Sequence, residues 1–276
     1  MSWHAQLQLD YRLEAGRSVA RHLHSGPLRV LRSLYPEGDA VCHNVLVHPP
    51  GGLVGGDTLE LKISADGQAH GLITTPGATR FYRSSGPAAV QHTHITLRDQ
   101  ARLEWLPLET LCYDQCHAEN HLVLDLAPQA EFMGWDLSAF GLPLANLPFE
   151  RGSLRQRIEL PGVWLEQGRI DATDHRLMDG PLGLAGHRCM ASLFFVTGSR
   201  LPRERRQQAL ELVRAVLETH ALRDTAGVTS PNEQVVVLRV LAPVVEPAMN
   251  LLKEVWAVWR ANLWNKLACS PRLWAM

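Results

Sequence analysis

From about residue 40 to residue 200 the chain is a succession of short alternating or apolar runs cut by turn residues. This punctuation constrains the fold more than anything else in the sequence. "LELKIS" (59–64) meets "ADGQ" and is followed by "AHGLITT" (69–75). The Asp66-Gly67 pair between them predicts a hairpin, because glycine accepts the positive φ that tight hairpin turns demand. "AAVQHTHITL" (88–97), an Asp-Gln pair and "ARLEWL" (101–106) predict a second hairpin. Further strand candidates are 121–126, 155–160, 163–170 and 191–198. Strands at this spacing, with no long helix between them, predict mostly antiparallel sheets and not βαβ units.

The C-terminal third changes period. In 202–222 the residues Leu210, Val213, Leu217 and Ala221 recur three or four apart, which predicts an amphipathic helix with Pro202 near its start. A strand candidate within "VTSPNEQVVVLRVLA" precedes a second helix over 245–267, with the stripe Met249, Leu252, Trp256, Trp259, Leu263 and Leu267. Trp256, Trp259 and Trp264 are candidate anchors for a partner, although the plainer reading of their helical spacing is that most of them are core. No internal repeat, low-complexity tract or linker stands out, so 1–276 is expected to form a single domain.

Charge narrows the function classes. Lys plus Arg number 27 against 28 Asp plus Glu, a net charge of -1, which argues against nucleic acid or an acidic membrane surface as the partner. Five cysteines are an odd number without the density of a disulfide scaffold, and the first residues lack the apolar core of a signal peptide. No stretch approaches the length of a membrane span. A soluble cytoplasmic protein is expected.

The stretch "HPPGGLVGGDTLEL" (48–61) is the most unusual local feature. Gly51 to Gly56 has the glycine spacing of a phosphate loop, but Asp57 stands where the loop needs lysine, and a carboxylate there repels phosphate. A strand pattern follows, so no helix N-terminus is available to hold an anion. The phosphate reading is rejected. The backbone turns tightly twice and delivers Asp57 to a strand start, either as a turn cap or as a site residue. A second elaborate turn, "TTPGATRFYRSSG" (74–86), favours a built site or a partner surface.

These two stretches, together with "EWLP" (104–107), "FMGWDLSAFGLPLANLPFERG" (132–152), the Trp-rich segment before the end and the final "PRLWAM", resemble the UreD (UreH) urease accessory proteins over roughly 25–276. The resemblance implies a β-rich fold of two stacked sheet layers and a non-enzymatic role in maturing the nickel site of urease. It implies the urease apoenzyme and the accessory proteins UreF and UreG as partners, and an internal channel for nickel. Nickel would then be transient, with no tightly bound cofactor. The positions here matching the polar, channel-facing ones are Asp57, Thr79, Asp136 and Glu166. Arg80 stands where lysine is more usual and Leu108 where glutamine is frequent; "GLPLANLPFERG" lacks the Gly-Arg and Gly-Glu pairs of many members.

The chemistry of these side chains suits transit. Imidazole and thiolate sites would hold nickel tightly, whereas carboxylates and hydroxyls along a wet path can bind and release it. Asp136 and Glu166 sit in apolar surroundings, where a carboxylate needs water, a cation, or an arginine such as Arg80, Arg83 or Arg151. A rival metal site is "LCYDQCHAENH", with Cys112, Cys116, His117 and His121; it would serve a metal-dependent hydrolase, or be no more than a Cys/His-rich loop. His92 and His94 share one strand face and could chelate or be surface residues of a hairpin. No G-x-S-x-G, H-E-x-x-H or P-loop motif is present. A third reading is a β-rich interaction module docking through its Trp-bearing helix.

Overall fold

The computed structural model describes residues 2–275. A hairpin of β1 (His4–Glu14) and β2 (Arg17–Ser25) opens the first layer, and β3 (Arg29–Val30) and β4 (Cys42–Val47) open the second. The chain then winds between the layers. β5 (Thr58–Asp66) lies in the first and β6 (His70–Thr74) in the second; after the short β7 (Thr79–Phe81), β8 (Ala89–Leu97) and β9 (Arg102–Leu106) repeat the move. The short β10 (Thr110–Cys112) precedes β11 (Cys116–Leu126) and β12 (Glu131–Phe140), which repeat it again. A hairpin of β13 (Gly152–Leu160) and β14 (Trp164–Asp171) closes the first layer. After a short helix α1 (His175–Asp179), β15 (Cys189–Thr197) joins the second layer. Helix α2 (Arg203–Thr219), strands β16 (Ala226–Asn232) and β17 (Val235–Ala242), and helix α3 (Val245–Leu263) complete the chain.

The result is mainly β in two layers, as expected, but the sheets are mixed. β5, β8, β11 and β13 are parallel neighbours, and so are β4, β6, β9 and β12, in a solenoid-like winding. The expected antiparallel hairpins at Asp66-Gly67 and at Asp99-Gln100 are therefore corners that carry the chain from one layer to the other. A left-handed backbone residue turns the chain in either arrangement, so the turn chemistry fits both.

The corners also form a repeat that the sequence reading missed. Gln68, Gln100 and Gln129 have φ of 64, 63 and 68°, and each is followed by an alanine. Ala69, Ala101 and Ala130 are fully buried, and their N–H groups donate to Asp66, Arg98 and Ala127 carbonyls at 3.1, 2.9 and 3.1 Å. All three alanines belong to the core between the layers.

The layers differ in burial because only one is covered. β5 alternates buried and exposed positions, with its outer face in solvent, whereas β6 is buried throughout. The second layer packs on the first through Leu103, Phe132 and Phe194, and on α2 and α3 through Trp135, Phe195 and Leu193. A parallel sheet sealed on both faces reads as a continuous apolar run. The helices lie where their stripes require: Val213 and Leu217 on α2, and Met249, Leu252, Trp256, Trp259 and Leu263 on α3, are buried. Ala221 and Leu267 fall beyond the helix ends and are exposed. Among the described residues no helix is long and apolar enough to cross a membrane.

Candidate functional site: an inter-layer carboxyl and the adjoining pockets

The two glycine-bearing turns lie against each other. Leu53 donates its N–H to Arg80 O at 2.7 Å and accepts from Tyr82 N at 2.9 Å. A Cβ at Gly52 would stand 2.3 Å from the Tyr82 ring, and one at Gly55 would stand 2.0 Å from Ser84 Oγ. Glycine is therefore required for close approach of the two loops. A strand follows Asp57, which removes the last requirement of a phosphate loop.

The packed loops wall a half-open vestibule of about 230 Å³ near the edges of β4, β5 and β8. Behind it lies a more enclosed pocket of about 20 Å³, room for about one water. Thr79, Gln91, Trp105 and Pro107 border both spaces. Thr79 is held there by β7, where its N–H donates to Glu109 O at 2.9 Å.

Asp136 borders the inner pocket, projecting from β12 between the layers. Its side chain is largely buried. Its Oδ2 accepts from Asn120 Nδ2 at 2.8 Å, and its Oδ1 accepts from Ser138 Oγ at 3.2 Å and from Gln156 Nε2. No arginine reaches it; Arg80, Arg83 and Arg151 are not its partners. Burial pushes its carboxyl up to about 6, with repulsion from Glu166 adding to the effect and the three donors opposing it.

Opposite Asp136 runs a polar row. Gln91, Asn120 and Gln156 are neighbours in register across β8, β11 and β13, all at inward positions of strands whose other inward residues are mostly apolar. Gln91 borders both pockets, and Asn120 and Gln156 donate to the carboxyl. His48 Nε2, His70 Nδ1 and Thr93 Oγ1 are buried without a hydrogen-bond partner. His48 borders the vestibule and Thr93 the inner pocket, so two of the three unpaired atoms belong to residues that line these spaces. Buried polar atoms without protein partners call for water or an ion.

The other expected site residues fall elsewhere. Asp57 is buried outside both linings; its Oδ1 accepts from Trp3 N at 2.7 Å and its Oδ2 from Val54 N at 2.9 Å. It acts as the turn cap and ties the N-terminal strand to the loop. Glu166 faces the same inter-layer space from β14 but is paired: Arg239 Nε donates to Oε1 at 3.1 Å, with a second contact to Oε2. The guanidinium comes from β17, not from the three arginines considered above.

The Cys/His set does not assemble. Along β11 the period of two turns Cys116 inward and His117 and His121 outward, and Cys112 is buried on β10. The Cys116 thiol beside it, together with burial, holds Cys112 well above the usual thiol range, so it stays protonated and is a poor ligand. Among the described residues no three His, Cys, Asp or Glu side chains come close enough to hold a metal. His92 and His94 lie on the exposed face of the first layer, where the His92 ring meets that of His121 at 4.7 Å.

The tryptophans are core, which corrects their reading as partner anchors. Trp256, Trp259 and Trp264 are 0, 0 and 4% exposed. Their indole N–H groups donate to Glu104 at 2.6 Å, Ala209 O at 2.9 Å and Glu131 at 2.6 Å. Helix α3 seals the second layer, and its indole N–H groups find acceptors inside the fold.

His48, Gln91, Thr93, Asn120 and Gln156 were missed by sequence reasoning. For Gln91, Thr93 and Gln156 a signal existed: polar residues at inward positions of otherwise apolar alternation. It becomes visible only once the inward face is known.

A family model described as UreD urease accessory protein matches residues 4–275. The chain is 67% identical to the urease accessory protein UreD of Albidiferax ferrireducens and 65% identical to that of a Polaromonas species, each over 100% of both chains. It is 54% identical to the urease accessory protein UreD of Leptothrix cholodnii over 99% of both. With the family model matching residues 4–275 and relatives at 65–67% identity over full length, the chain belongs to the UreD urease accessory protein family.

Proposed function

We propose that this chain serves urease maturation without catalysing a reaction, as a conduit that carries nickel toward the apoenzyme. Nickel is cargo: it enters at the vestibule, passes Thr79 and Gln91 and meets Asp136. In this reading the chain bridges the urease apoenzyme to UreF and UreG, and the site of action is the cytoplasm, in keeping with five unpaired cysteines. The observation that carries this reading is Asp136, a largely buried carboxyl hydrogen-bonded to no guanidinium, facing a pocket that shares four lining residues with an open vestibule.

Its surroundings suit transit. The donors along the path are hydroxyl, amide and carboxylate oxygens, which hold nickel loosely and exchange it for one another. Glu166, engaged by Arg239, contributes at the far side only if that pair opens. The hydrolase reading loses its ligands, since the Cys and His side chains diverge, and the Trp-helix docking reading loses its anchors to the core.

The test is urease activation with Asp136→Ala and Asp57→Ala chains, alongside co-purification of the accessory complex. Asp136→Ala should reduce activation at least tenfold while the complex still assembles. Asp57→Ala should act by loosening the loop, lowering stability and assembly together. Normal activation by Asp136→Ala would remove the conduit reading.

A further inference from the structure

The vestibule is mostly apolar, and its polar exceptions share one chemistry. Its lining includes Leu28, Leu46, Leu53, Leu59 and Leu61, and no aspartate or glutamate. Arg80 lines it too, and the ion pairs that join separate elements use Arg205, Arg239 and Arg260 instead. Trp105, only 6% exposed, borders the same space. The indoles of Trp135, Trp256, Trp259, Trp264 and Trp274 each find an acceptor, whereas that of Trp105 finds none among the described residues. The Thr79 hydroxyl and the Gln91 amide are likewise unpaired among the described residues. His48 Nε2, His70 Nδ1 and Thr93 Oγ1 are the atoms both sealed and without a partner, so the Trp105, Thr79 and Gln91 groups keep accessible surface.

This inventory decides what the space can take. A guanidinium and an indole can only donate, and a hydroxyl or an amide can donate as readily as accept. With no carboxylate among them, the group that satisfies them is an acceptor carrying negative charge. A carboxylate matches the planar fork of arginine best. The leucines call for an apolar body behind it. An apolar cavity of about 150 Å³ takes a benzene ring, and the vestibule, at about 230 Å³, has room for a ring with a short acid arm. The Arg80 charge that favours such an anion also opposes a free cation at this mouth.

We propose that the vestibule is a binding site for an apolar monocarboxylate the size of a single ring: the carboxylate pairs with Arg80 and accepts from the unpaired donors beside it, and the apolar body lies against the leucines. Occupancy cancels the Arg80 charge and leaves carboxylate oxygens at the mouth. A nickel ion then meets an oxygen donor in place of a bare guanidinium. That purpose rests on the conduit reading above; the existence of the site does not.

Titration of the full chain with 3-phenylpropanoate at pH 7.5, where the acid is ionised, tests it by calorimetry and ligand-observed NMR. The acid should bind at one equivalent. The uncharged 3-phenylpropanamide, which keeps the ring, and acetate, which keeps only the charge, should each bind at least tenfold more weakly. Arg80→Gln should weaken the acid at least tenfold with near-ultraviolet circular dichroism unchanged, and Trp105→Phe, which keeps a ring and removes the N–H, should weaken it severalfold. Arg83→Gln, altered outside the lining, should bind as the native chain does. Absence of binding by the native chain, equal binding of acid and amide, or full affinity in folded Arg80→Gln overturns the proposal; the acid-against-amide comparison needs no variant and decides the matter even if a variant fails to fold. Asp136→Asn separates the two claims. It should still bind the acid, and if it also activates urease normally, the conduit fails while the carboxylate site stands.

Discussion

Asp136→Asn removes one buried charge and keeps the side-chain shape, so it isolates what the inter-layer pocket does to a carboxylate. Burial raises this carboxyl from 3.8 to about 6. At 1.36 kcal/mol per unit, that shift corresponds to about 3 kcal/mol of destabilisation whenever the group is ionised in the folded chain. Asparagine recovers less than this. Asn120, Ser138 and Gln156 all present donors to the carboxylate, so one neighbouring amide must turn over to accept from the new NH₂ group. A net gain of about 1–2 kcal/mol at pH 7.5 is expected, or about 2–4 °C in Tm for each kcal/mol. The sign with pH follows from the direction of the shift. The folded state holds the proton more tightly than the unfolded one, so native stability falls as pH rises from about 4 to about 6 and the full penalty is present above that. Urea-unfolding midpoints of the native and Asp136→Asn chains at pH 4.5 and 7.5 measure this. The gap between them should be largest at pH 7.5 and shrink toward pH 4.5. A variant less stable at pH 7.5, or a gap that ignores pH, would refute the claim that burial governs Asp136.

Three further outcomes follow from the packing. Arg260→Ala strands Glu104, which also accepts from His70 and Trp256 at 2.6 Å, and Glu37, whose Oε2 accepts from Arg260 at 2.6 Å. Its urea-unfolding free energy should drop by about 3–5 kcal/mol, and a loss below about 1 would mean that the network is wet. Trp259→Ala should lose about 3–5 kcal/mol of stability while the folded fraction retains its affinity for the accessory complex; a selective loss of affinity would return this residue to an interface. Cys116→Ala/His117→Ala should leave nickel and zinc stoichiometry unchanged in equilibrium dialysis, because the two side chains leave β11 on opposite faces.

Much of the fold was legible because strand period and helix period are local. The runs at 59–64, 69–75, 88–97 and 101–106 became β5, β6, β8 and β9, and the stripes over 202–222 and 245–267 became α2 and α3. Pairing was not legible. A left-handed residue at Gln68 or Gln100 closes a hairpin or an arch equally well, and which one forms depends on what covers the next strand. The signal lay in the contrast between alternating β5 and continuously buried β6, which marks them as members of different layers.

The same division holds at the site. Sequence by itself determined the glycine turns and the absence of a phosphate loop, and the family resemblance it carries named Asp57, Thr79, Asp136 and Glu166 as candidates. Tertiary structure alone decided that Asp136 is free of arginine while Glu166 is not, that Asp57 caps a turn, and that Cys116 and His117 part company. It also placed Gln91, Asn120 and Gln156 in one row, although they are far apart along the chain. The physical reason is that a side chain's ionisation and partners are set by what surrounds it in space, and parallel winding brings together residues from successive coils that no local pattern connects.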